Sequence, residues 1–96
     1  MGIGVSLRDL RHDEFGFLTD DAEDSFRKMC QDAPADTLRR GVMQYGHTMF
    51  NSLQLRRLVD ELEGLRSEEM TPAVSAILEA AKQAIRKSGY LYFIGD

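Results

Sequence analysis

Few residues of this 96-residue chain have the types and spacing that chemistry requires. The densest group lies in "QYGHTMFNSLQLRRL", Gln44 to Leu58, where His47, Thr48, Asn51 and Gln54 fall within eight positions. A histidine beside the start of a helix has its charged form disfavoured by the helix dipole, and then works as a neutral base or ligand. The same residues have a purely structural reading. Gly46 supplies a turn, and Asn51 or Ser52 accepts from the first free N–H groups of the helix that follows. Phe50 and Leu55 stand at hydrophobic-staple positions. His47 is then an exposed loop histidine.

Other chemistries find less support. One cysteine, Cys30, and two histidines, His12 and His47, make a poor zinc set, so no metal site is expected. "DDAED" has carboxylates without the alternating ligands and central glycine of a calcium loop. "GIG" at residues 2–4 follows no strand and is no dinucleotide fingerprint. No phosphate loop or nucleophile motif is present, so no catalytic residue and no cofactor are assigned. Cys30 reads as a small buried or half-buried helix residue, and an unpaired cysteine is compatible with a reducing cytoplasm. Tyr45, Tyr90 and Tyr92 have few Lys or Arg beside them, which favours core or edge roles over base stacking.

The formal charge is −4, and it is uneven: residues 1–36 hold nine acids and four bases, residues 37–96 seven acids and eight bases. The acids Asp9, Asp13, Glu14, Asp20, Asp21, Glu23 and Asp24 cluster early. An acidic face argues against nucleic acid and for either a basic protein partner or a solvated surface. Asp20, Asp21, Glu23 and Asp24 are therefore candidate partner contacts. No apolar run approaches the roughly 20 residues of a membrane span, so a membrane role is not expected.

The elements that must position these residues follow from periodicity. Residues 2–8 and 14–19 alternate and read as a β-hairpin with Phe15 and Phe17 on one face. Asp20 with Glu23 resembles a capping box for a helix that ends near Asp32, before Pro34. Val42, Met43 and Tyr45 suggest a short strand closed by Gly46. From Ser52, the leucines 55, 58, 62 and 65 with Val59 form a helical stripe that ends at Gly64. Thr71 and Pro72 open a second long helix, with Gly89 as its C-terminal glycine. "YLYFI" reads as a strand covered on both faces or paired on both edges. The chain is then one α+β domain, 1–96, in which two or three helices cover a small, mainly antiparallel sheet made of the N-terminal hairpin and the C-terminal strand.

"YGHTMFNSLQ", "LVDELEGL" and "YLYFIGD" together resemble a group of short bacterial proteins of uncharacterised function. Their pattern runs through a Gly-x-Thr-x-Phe-Asn-x-x-Gln segment, a leucine-rich helix and a Gly-Asp end. The resemblance implies the same α+β order and a shared role for Thr48, Asn51, Gln54 and Asp96, and no activity. Two functional expectations remain. One is a non-enzymatic protein-binding module of the immunity-protein, antitoxin or regulatory-subunit kind, with which a homo-oligomer is compatible. The other is a small ligand-binding or hydrolytic protein whose site would be built from His47, Asn51, Gln54 and Asp96.

Overall fold

The computed structural model describes residues 3–44 and 46–95. Tyr45 and Asp96 lie outside them. The order is β1 (Gly4–Arg8), β2 (Glu14–Thr19), α1 (Ser25–Gln31), α2 (Leu38–Gln44), β3 (His47–Phe50), α3 (Ser52–Glu63), α4 (Pro72–Arg86) and β4 (Tyr90–Ile94), with a 3-10 turn at Ser67–Glu69. The four strands form one antiparallel sheet in the order β2-β1-β4-β3. This is the α+β architecture expected, with four helices in place of two or three.

Alternation in the strands sends one set of side chains toward the helices. Val5, Leu7, Leu91, Phe93 and Phe50 join Phe26, Leu55, Leu58, Leu62, Val74, Ile77 and Ala81 in one buried cluster. Phe93 is stacked on Phe26 at 5.6 Å between centroids and meets Phe50 edge-on at the same distance. The leucine stripe of α3 is core, as its spacing predicts: Leu55, Leu58 and Leu62 are fully buried. β4 is paired on both edges, which is the second of the two readings of "YLYFI".

Several local expectations are corrected. Val42 and Met43 lie in helix α2, which ends at Gln44, and the strand of this region, β3, follows at His47. Leu38 and Val42 stand one helical turn apart and pack on the core, while Glu61 of α3 accepts from Leu38 N at 2.9 Å and Arg39 N at 3.3 Å. That carboxylate caps α2 from 23 residues away. It also pairs with Arg39 and Arg57 at 3.4 and 3.5 Å.

α1 starts at Ser25, four residues later than a box opening at Asp20 would place the first turn. Asp24 takes the N-cap position in a left-handed conformation (φ 56°). The buried Asp20 still caps the helix, because its two carboxylate oxygens accept from Phe26 N and Arg27 N at 2.9 and 2.8 Å. Glu23 is exposed and lies before the helix, so it is not part of a box. Asp24 pairs with Arg27 at 3.3 Å.

At the end of α4 the left-handed residue is Ser88 (φ 53°), not Gly89. Ser88 N donates to Ile85 O at 3.0 Å and Gly89 N to Ala84 O at 2.8 Å, the paired bonds of a Schellman motif. In the hairpin, a register shift between Leu7 and Arg8 leaves Phe15 unpaired. Phe15 and Phe17 therefore part company: Phe15 lies 5.1 Å from Lys87 Nζ at the end of α4, while Phe17 lies over Gly4.

Candidate functional site

The face of the sheet turned away from the helices carries no covering layer among the described residues. The registers place its side chains in rows across the strands: Thr19, Gly4, Ile94 and His47, then Phe17, Ser6, Tyr92 and Met49, then Glu14, Arg8 and Tyr90. Phe17 is 55% exposed and Met49 41% exposed, and Tyr90, Tyr92 and Ile94 are half-buried. Gly4 makes room here, because a Cβ at this position would stand 2.9 Å from Phe17 Cζ and displace the ring. The missing side chain lets the Phe17 ring settle on the strand.

A polar group sits in the middle of this apolar face. The Ser6 hydroxyl is buried, donates to Glu14 Oε2 at 2.5 Å and accepts from Arg8 Nε at 3.1 Å. The Arg8 guanidinium lies 4.4 Å over the Tyr92 ring, a cation–π contact. His12, held in a left-handed turn (φ 68°), stacks on Tyr90 at 4.2 Å with 12° between planes. One hydrogen bond to Ser6 and the Tyr92 ring thus hold the Arg8 side chain. The arrangement does not offer a nucleophile, since Ser6 is buried with its hydroxyl engaged. It does not offer a stacking platform for bases either: Tyr92 is covered by Arg8, Tyr90 by His12, and Phe17 rests on Gly4. What it offers is a surface with exposed Phe17 and Met49 at its edges and, at its centre, Arg8 and Glu14 bridged through the Ser6 hydroxyl.

The residues singled out in the sequence do not converge. His47 is exposed on the outer face of β3, whereas the alternation of the strand turns Thr48 to the helix side. The Thr48 hydroxyl is buried without a hydrogen-bond partner among the described residues. Asn51 and Gln54 serve one another: Gln54 N donates to Asn51 Oδ1 at 3.0 Å and Asn51 N to Gln54 Oε1 at 2.9 Å, a complete capping box for α3. Asp96 lies outside the described residues.

The early acids are mostly occupied. Asp20 caps α1. Asp21 accepts from Ser25 N at 2.8 Å and Ser25 Oγ at 2.6 Å, and the Ser25 hydroxyl bond holds its pKa below the ordinary value. Asp9 Oδ1 closes the hairpin turn by accepting from Arg11 N and Asp13 N at 2.9 and 3.0 Å. Glu14 holds Ser6 and Asp24 pairs with Arg27. Glu23 and Asp13 are exposed.

Two hollows open on the surface. One of about 290 Å³ is lined by Asp9, Leu10, Arg11 and Lys87. The other, about 230 Å³, lies where Ser25 Oγ meets Thr71 Oγ1 at 2.8 Å, with Lys28, Asp32, Glu68 and Glu69 around it. Three carboxylates against one ammonium make it hostile to anions, and both hydroxyls are engaged. Among the described residues no group of three or more His, Cys, Asp or Glu is placed to hold a metal ion, and no helix is long and apolar enough to cross a membrane.

The constellation Ser6, Arg8, Glu14, Phe17 and Tyr92 was not singled out from the sequence. The signal for part of it was present, since Gly4, Ser6 and Arg8 alternate against Ile3, Val5 and Leu7. What was missing was the partner strand, because β4 lies more than 80 residues downstream of β1. Comparison with family models, with curated proteins and with solved structures finds no match to this chain.

Proposed function

We propose that this chain is a non-enzymatic protein-binding module that works through the uncovered face of its sheet. The observation that carries the reading is that face itself, with Phe17 and Met49 exposed beside half-buried Tyr90, Tyr92 and Ile94. Apolar and aromatic groups around a partly buried polar centre are what binding hot spots are made of. The formal charge of −4 favours encounter with a partner of net positive charge, and that advantage fades as salt rises. Such a module fits the immunity-protein, antitoxin or regulatory-subunit class in a cytoplasmic setting.

The test is capture of a partner from native lysate by the wild-type chain and two variants, with identification by mass spectrometry. Phe17→Asp with Met49→Asp alters the proposed surface. Leu53→Asp alters the exposed leucine at the start of α3, away from the sheet face. Loss of the partner with the first variant and retention with the second supports the reading. Equal capture by both moves the contact elsewhere.

A further inference from the structure

We propose that two copies of this chain pair along β3, antiparallel across a two-fold axis at Thr48, to join their sheets into one of eight strands. The inference uses the edge of the sheet and stands apart from the reading of its face.

The backbone geometry fixes what this edge presents. Gly95 N donates to Gly46 O at 2.7 Å, and the register pairs Thr48 with Phe93 and Phe50 with Leu91. In an antiparallel ladder successive residues turn their N–H and C=O to opposite sides. Gly46, Thr48 and Phe50 therefore face β4, and His47 and Met49 face outward from the last strand of the sheet. Their four groups have no partner among the described residues. At the next outward position, Asn51 N is already taken by Gln54 Oε1, so the free ladder stops there.

Three observations select a second copy as the occupant. The outward residues are symmetric about Thr48, so a two-fold there pairs His47 of each copy with Met49 of the other and satisfies all four groups. β3 carries no Asp, Glu, Lys or Arg, so copies of a chain with net charge −4 approach here without facing acids. The other edge, β2, is guarded by Glu14 and by the bulge at Phe15. Finally, Thr48 falls on the axis as a non-hydrogen-bonded pair, with Cβ atoms about 5 Å apart. Each Thr48 hydroxyl, buried without a partner in the single chain, then gains the other through a χ1 rotation.

Two measurements decide it. Sedimentation of the wild-type chain should show its mass rise from 10.9 kDa toward twice that value as concentration approaches about 1 mM. Met49→Pro removes an outward N–H and no bond to β4, a substitution that edge strands tolerate, and should stay at the single-chain mass. Thr48→Cys should form an intermolecular disulfide on mild oxidation, since facing positions of this kind lie within disulfide reach. Thr19→Cys, on the guarded edge, should not. The only native cysteine, Cys30, is buried. A wild-type chain that stays at 10.9 kDa throughout, or equal cross-linking of the two cysteine variants, overturns the proposal. If Met49→Pro fails to fold, the cysteine pair decides alone.

Discussion

The carbonyl oxygen of Arg8 lies against Gly89 so closely that a side chain on the glycine would begin inside it. The last residue of β1 and the first residue before β4 thus share a contact that only hydrogen allows. The φ angle of Gly89 is not positive, so space and not backbone conformation selects glycine here. The left-handed residue next to it, Ser88, has the room and bears the conformational strain.

Opposite outcomes follow for the two neighbours. Gly89→Ala should lower stability by about 2 kcal/mol or more, because backbone must move apart on both strands. Ser88→Gly should be neutral or stabilising by up to about 1 kcal/mol, since it relieves the left-handed strain. Thermal melts of the two single variants check both. A Gly89→Ala protein that melts with the wild type removes the steric argument.

Glu61 joins α2 to α3. Its carboxylate serves two backbone N–H groups and two arginines, and the Glu61 and Arg39 side chains are only 12% and 14% exposed. Glu61→Ala leaves Arg39 without its counter-charge and α2 without its cap. The expected loss is about 3 kcal/mol, read by urea denaturation. Amide exchange should quicken over Leu38–Gln44 before it quickens in α4.

Asp20→Ala removes the acceptor for the second and third N–H groups of α1 and should cost about 1–2 kcal/mol. Glu23→Ala, at an exposed position ahead of the helix, should stay within about 0.5 kcal/mol of wild type. Equal losses from the two would mean that the cap is not Asp20.

Cys30 gives the chain an alkaline sensitivity. Burial, which disfavours the thiolate, pushes its pKa well above the ordinary 9.0. The unfolded chain gives up this proton near that ordinary value while the native chain keeps it. Stability therefore falls above pH 9, by at most about 1.4 kcal/mol per pH unit from this group. Cys30→Ala should show a shallower fall over the same range in paired denaturation curves. The native thiol should also resist alkylation until the protein unfolds.

What the sequence made legible was local. Asn51, Thr71 and Pro72 announce helix starts because a cap and its helix are neighbours, and the leucines of α3 reveal their face by spacing alone. β1, β2 and β4 alternate or run apolar long enough to be recognised. The parts that escaped depend on distant partners. α2 is capped by Glu61 across 23 residues, so "LRRGVMQ" has no start signal of its own. β3 has four residues, too few for alternation to stand out, and its order is set by pairing with β4. The outer face could not be assembled because its rows draw on β1, β2, β4 and β3, and no periodicity within a single strand specifies that register.

The place of β4 in the sheet also governs when the protein can form. The strand that lies between β1 and β3 is the last of the four to be synthesised. Until residues 90–94 leave the ribosome, β1 and β3 have no common neighbour, and the apolar sides of α3 and α4 have only part of the surface they pack on. The hairpin and the helices are local enough to form early, but the sheet closes by joining segments separated by most of the chain, which makes closure slow. A chain stopped before Tyr90 would therefore leave its β3 edge unpaired and its leucine stripe partly uncovered, open to chaperones or to other chains.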